Sequence, residues 1–227
     1  MRVVFDRDHV LAAVLALLWG GVLLRPLCWW GLGLLRELAQ HQPQQFVTHS
    51  YTSRVILVTL LFVLLPITGL VYGLDYRTLA AATFLVAVLV LAWIDSETGY
   101  LPDALTQPLL WLGLLVNVGE MYTTLEMAVL GAACAYGFLW LINAGFIWLR
   151  NKQGMGHGDF KLLAALTAWF GLATLPTLLL LSSLGALLYA ALIWAIGRWY
   201  QGRYLHFGPY LAAAGVCQLF FQFSPYQ

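Results

Sequence analysis

The chain has 227 residues, 62% of them hydrophobic and only 9% charged, with a formal net charge of +1; its mean hydropathy is +0.82. A water-soluble domain carries about 25% charged residues, so this composition excludes that class and points to an all-α, polytopic transmembrane helix bundle in a lipid bilayer. With no basic stripe and almost no net charge, a nucleic-acid partner is excluded as well.

The first apolar run, near residues 10–30, is long enough to cross the hydrocarbon core as a helix. Its flank, Arg2 to His9, is mixed in charge, and it continues into Arg25-Pro26 without a small-x-small cleavage site, so it reads as a retained span. A polar segment at 31–54 follows, carrying Gln40, His41, Gln42, Gln44, Gln45 and His49. It reads as a loop, too short for a separate domain. Spans are expected near 55–74 and 78–94, then a loop at 95–103 and a shorter apolar run near 104–118. A long span near 125–149 is followed by a loop at 150–159 and a second short run near 160–173. The last expected elements are a span near 176–197, a loop at 198–206 and a third short run near 207–223. The total is about eight spans. No internal repeat or second domain is visible, so residues 1–227 read as one domain.

Lys and Arg positions orient this scheme. With the N-terminus outside, Arg36, Arg54, Arg150, Lys152, Lys161, Arg198 and Arg203 lie on the cytoplasmic side, and Arg2, Arg7 and Arg77 lie outside. Seven against three favours both termini outside by the positive-inside rule. Asp95, Asp103 and Asp159 then all face the cytoplasm.

Two polar segments interrupt the apolar runs with chemistry. One is Asp95-Ser96-Glu97-Thr98-Gly99-Tyr100-Leu101-Pro102-Asp103, three acids in a loop where Gly99 and Pro102 punctuate turns and Asp103 fits a helix cap. The other is Gly154-Met155-Gly156-His157-Gly158-Asp159-Phe160-Lys161. Its alternating glycines permit unusual backbone angles or a close approach, and Asp159 fits the N-cap of a sixth helix. Capping alone leaves the three glycines and the adjacent Lys161 unexplained. The spacing does not fit a phosphate-binding G-x-x-x-x-G-K-[ST] loop.

A carboxylate at the edge of hydrocarbon is costly to keep charged, so Asp95 and Asp159 are functional candidates. Brought together by the fold, two acids would share one proton: the ionised one activates water and the protonated one donates to the scissile carbonyl. Other hydrolytic patterns are missing. There is no G-x-S-x-G, no H-E-x-x-H and no C-x-x-C; Cys28, Cys134 and Cys217 are far apart and apolar in setting. No metal site is expected. A proton-coupled transporter would also use intramembrane acids, but it would place them near the bilayer midplane, in repeated halves.

These residues carry a resemblance. Ile94-Asp95, Leu101-Pro102-Asp103 and the run Leu105 to Leu114 resemble the first signature of the type IV prepilin peptidases. Gly156-His157-Gly158-Asp159-Phe160-Lys161 through Ala165, with Ala168-Trp169-Phe170-Gly171, resembles their G-x-G-D signature, and Phe207-Gly208-Pro209-Tyr210 resembles a third stretch. The signatures fall within 93–114 and 154–171, and the likeness covers roughly 78–215. It implies an inner-membrane aspartyl endopeptidase that removes the leader of type IV prepilins or type II secretion pseudopilins after a glycine, at the cytoplasmic face. Asp95 and Asp159 match the catalytic pair; Asp103, Gly156, Gly158 and Lys161 match supporting positions. Cleavage requires no cofactor, and S-adenosylmethionine enters only if the new N-terminus is methylated. Many members carry two C-x-x-C pairs in the first cytoplasmic loop, whereas 31–54 has no cysteine. The resemblance is therefore to the shorter members, zinc is not expected in that loop, and methylation is the less expected activity. The oligomeric state is left unassigned.

Overall fold

The computed structural model describes residues 7–41, 51–150, 154–196 and 205–221. They form eight α-helices: α1 Arg7–His41, α2 Tyr51–Tyr72, α3 Tyr76–Thr98, α4 Asp103–Val116, α5 Leu125–Arg150, α6 His157–Phe170, α7 Leu175–Ala195 and α8 Gly208–Phe221. Five helical segments are long and apolar enough to cross a membrane: Arg7–Trp29, Ser53–Tyr72, Tyr76–Thr98, Leu125–Arg150 and Leu172–Ala195. The remaining three, α4, α6 and α8, have 14 residues each, about 21 Å at the α-helical rise, short of a hydrocarbon core of about 30 Å. The chain is thus a polytopic helical membrane protein, with five helices of full spanning length among the described residues.

Two helices are longer than the apolar pattern indicates. α1 continues to His41, through Pro26 and well into the segment expected as a loop. Leu, Arg, Glu, Ala and Gln fill its last turns, and all are strong helix formers whatever their polarity. At 35 residues it is about 52 Å long, so its polar end reaches beyond the hydrocarbon. The rest of the expected loop, 42–50, lies outside the described residues.

α3 likewise continues past 94, so Asp95, Ser96 and Glu97 are helical and not part of a loop. Ser96 Oγ donates to the Trp93 carbonyl (2.8 Å) and Thr98 Oγ1 to the Ile94 carbonyl (2.7 Å), so both hydroxyls bond back onto their own helix. Gly99, at φ +65°, then breaks the helix in a conformation that costs other residues a steric penalty.

The described helices fall into two compact units, divided between Thr98 and Gly99. In the first, α1, α2 and α3 pack pairwise. Gly69 of α2 presses on the backbone of Ala12 and Ala13 of α1, where any side chain would overlap main chain. Small residues at such contacts let membrane helices gain van der Waals packing, because apolar lipid offers no hydrophobic drive for association. Trp19 Nε1 donates to Thr83 Oγ1 (3.0 Å), tying α1 to α3.

In the second unit α6 is the core. Every residue from Leu162 to Phe170 is buried, and α4, α5 and α8 all pack on it, with α7 lying on α8. α5 meets it through a stripe of Ala128, Gly131, Ala135, Leu139 and Asn143, spaced by helical turns. Trp169 fills the hollow left by Gly113 on α4, and its Nε1 donates to the Leu109 carbonyl (2.8 Å).

Asn117, fully buried just after α4, closes the far end. Its Nδ2 donates to the Ala168 and Trp169 carbonyls (2.9 Å each), and its Oδ1 accepts from the Tyr122 and Thr123 N–H groups (3.0 and 3.1 Å). The last carbonyls of a helix have no partner within it, and one amide satisfies two of them for α6.

Candidate active site

Asp95 lies in the first unit, one turn before α3 ends, and is 4% exposed. Asp159 lies in the second unit, in the first turn of α6, and is 8% exposed. Among the described residues these are the only carboxylates in the buried class; Asp103, Asp75 and Glu97 are all more open. Both acids therefore sit where a charge is poorly solvated.

Asp159 is not the N-cap expected for it. That place belongs to Gly156, in extended conformation (φ −70°, ψ 142°). The Asp159 N–H donates to the Gly156 carbonyl (3.2 Å), so the acid occupies the third helical position. There a carboxylate faces the positive end of the helix dipole. A Cβ added at Gly156 would stand 3.8 Å from Asp159 Oδ2, so the carboxylate folds back over that glycine.

None of Gly154, Gly156 and Gly158 has positive φ, so the alternation does not serve unusual angles; Gly154 and Gly158 serve close approach. A Cβ at Gly158 would come within 2.8 Å of Leu101 Cβ, and one at Gly154 within 2.8 Å of the Phe146 ring. The first turn of α6 can lie this close to the Leu101-Pro102-Asp103 segment only without a side chain at 158.

Asp103 is the first residue of α4 and not its cap, which is Pro102. Lys161 Nζ reaches both of its oxygens, at 2.6 and 2.7 Å. The pair ties the start of α4 to the second turn of α6. It also accounts for a lysine beside an acid-bearing motif without membrane snorkelling. Both side chains are partly exposed, so its contribution to stability is about 0.2–1 kcal/mol. His157 meets Phe160 in a tilted ring contact at 5.4 Å, and no group of three or more His, Cys, Asp or Glu residues is gathered among the described residues.

Two residues were not singled out by the sequence pattern. Asn117 and Asn143 are lone amides within apolar runs, and that isolation was their only signal. Asn143, 5% exposed on α5, accepts from the N–H groups of Gly154 (3.2 Å) and Met155 (3.3 Å).

The chain is a multi-helix membrane protein with one buried acid near the end of a span and a second in the first turn of a G-x-G-D helix. Residues 82–191, which include Asp95, Asp103 and Asp159, match the model of the type IV leader peptidase family. It is similar to the prepilin leader peptidase/N-methyltransferase of Neisseria gonorrhoeae, at 44% identity over 144 residues, 63% of this chain and 49% of that protein. The protein of the same name from Burkholderia pseudomallei (strain 1026b) is 45% identical over 151 residues, 66% of this chain and 48% of its own. That from Aeromonas hydrophila is 45% identical over 166 residues, 72% of this chain and 57% of its own. The chain spans about half the length of the curated relatives it matches. No solved structure matches it.

Proposed function

We propose that the protein is an aspartyl endopeptidase of a bacterial inner membrane, cleaving the leader of type IV prepilins or type II secretion pseudopilins after a glycine at the cytoplasmic face. The observation that carries this reading is the burial of Asp95 and Asp159, the only carboxylates so buried among the described residues, each inside a stretch that the family model covers. The two act as one unit, and the two compact parts of the chain work as a single peptidase domain. Sharing one proton, the ionised acid takes a proton from water as it attacks the scissile carbonyl. The protonated acid donates to the carbonyl oxygen and later supports departure of the amine. The apolar helix of the substrate arrives laterally from the bilayer.

Asp103 is the weaker candidate for this work. It is exposed, and both of its oxygens are held by Lys161, whereas a shared-proton acid must exchange a proton with water in each cycle. Its role is to fix the first signature against α6. No observation favours the alternative of a proton-coupled transporter.

Cleavage and methylation are tested together. Incubation with a prepilin and labelled S-adenosylmethionine is expected to release the leader with methyl incorporation well below one per product. A tetrahedral zinc site needs about four ligands, and the 31–54 segment offers only His41, His49 and Glu37. Stoichiometric methylation of the cleaved product would show that the module needs no cysteines. Leader release should follow a bell-shaped pH profile, because only the singly protonated pair is competent and the two apparent constants belong to the pair. A flat profile over the range where the protein stays folded would count against it.

The cytoplasmic orientation rests on the Lys and Arg distribution. In a variant lacking Cys28, Cys134 and Cys217, a cysteine at the exposed Ser96 should be labelled from the cytoplasmic side and one at the exposed Thr124 from the opposite side. Labelling of both from one side would overturn the topology.

A further inference from the structure

Asn143 ends the buried stripe on α5 whose other members are small or apolar. A buried amide in a membrane helix is costly unless its polar atoms find partners. Here the Oδ1 atom accepts from two consecutive backbone N–H groups, those of Gly154 and Met155. Phe146, one turn further along the same helix face, lies against Gly154 where a side chain would otherwise be. α5 therefore grips this loop twice, through a polar contact to its N–H groups and a ring against its Cα.

The grip lies immediately before the acid-bearing turn. Gly156, the next residue, is the N-cap of α6, and its carbonyl accepts the Asp159 N–H. The start of a helix is set by where its N-cap stands, so displacing 154–155 displaces the first turn and the carboxylate with it. A side-chain carbonyl that accepts two N–H groups suits this position; an apolar residue would leave both donors without that partner.

We propose that Asn143 is a positioning residue: by holding the Gly154–Met155 backbone, it sets the register in which Asp159 performs proton transfer. The catalytic half of this assignment rests on the peptidase reading above. The anchoring half does not.

The test uses the full chain in detergent or proteoliposomes, with two readouts. In Asn143→Ala, backbone amides of the Gly154–Met155 segment should exchange with deuterium about tenfold faster or more, while amides of residues 162–170 keep their protection. Its kcat for leader cleavage should fall on the order of tenfold to a hundredfold, with KM changed by less than about twofold. Asn143→Asp keeps the acceptor and should retain both the protection and about a third or more of kcat. Wild-type kcat or unchanged exchange in Asn143→Ala would overturn the assignment, as would an Asn143→Asp protein as impaired as the alanine variant. If Asn143→Ala does not fold, Asn143→Asp decides: protected amides with retained turnover support the role, and loss of either overturns it. Exchange needs no substrate, so a wild-type protein that cleaves no prepilin overturns the peptidase reading while the exchange arm still tests the anchor.

Discussion

Asp95→Asn and Asp159→Asn should each lower leader cleavage on the order of a thousandfold or more while the protein still inserts and folds. Asparagine keeps the size and the hydrogen-bonding carbonyl of the acid but cannot take or give the proton. The double variant should be little worse than either single one, because members of one catalytic unit are not additive. Asp103→Asn is the control. It loses the ion pair to Lys161, worth about 1 kcal/mol or less at a partly exposed site, and should keep most of its activity. Steady-state cleavage of a purified prepilin by the four variants measures all of this. Normal turnover by a folded Asp95→Asn protein would remove it from the pair and promote Asp103.

The largest effect on stability is expected at Asn117. Replacing it with alanine removes four hydrogen bonds at once. Two carbonyls at the end of α6 and two N–H groups before α5 then lose their partner around a residue with no solvent exposure. Unsatisfied buried groups cost about 1–3 kcal/mol each, and some recover partners by relaxation, so a loss of about 3–5 kcal/mol is expected. For a chain of this length that lowers the thermal midpoint in detergent by roughly 6–20 °C. Asn117→Asp should do no better, because it sets a carboxylate against the Ala168 and Trp169 carbonyls. A midpoint unchanged in Asn117→Ala would mean that α6 is held by apolar packing alone.

The helices were legible to different depths. The five long spans are continuous apolar runs, and composition alone locates them to within a few residues, apart from the polar end of α1. The reach of α1 to His41 was hidden because hydropathy reports burial in lipid, while helicity in the polar turns depends on propensity and on the absence of a breaker. α3 was cut short for a related reason. Asp95, Ser96 and Glu97 look like loop residues by polarity, yet the helix runs through them to Thr98 and ends at Gly99, whose φ is positive. α6 reads as a marginal span, but it is short because it is the core of its unit and is covered by protein.

Within the site, residue identity was more legible than role. Asp95 and Asp159 stand out as scarce acids at the margins of apolar runs. The capping roles given to Asp103 and Asp159 belong to Pro102 and Gly156, since side-chain type cannot separate a cap from the first helical turn. The pairing of Lys161 with Asp103 spans 58 residues, and the grip of Asn143 on Gly154 joins a helix to a loop. Such contacts exist only in three dimensions, so no periodicity or motif announces them.

The most direct test of the central claim is the mass of the cleaved product. Purified protein in proteoliposomes, incubated with an intact prepilin, should yield a mature chain whose N-terminus begins immediately after a glycine, and no such product should form with the Asp95→Asn/Asp159→Asn double variant. Prepilin left intact by the folded wild-type protein, or the same product from the double variant, would contradict the account.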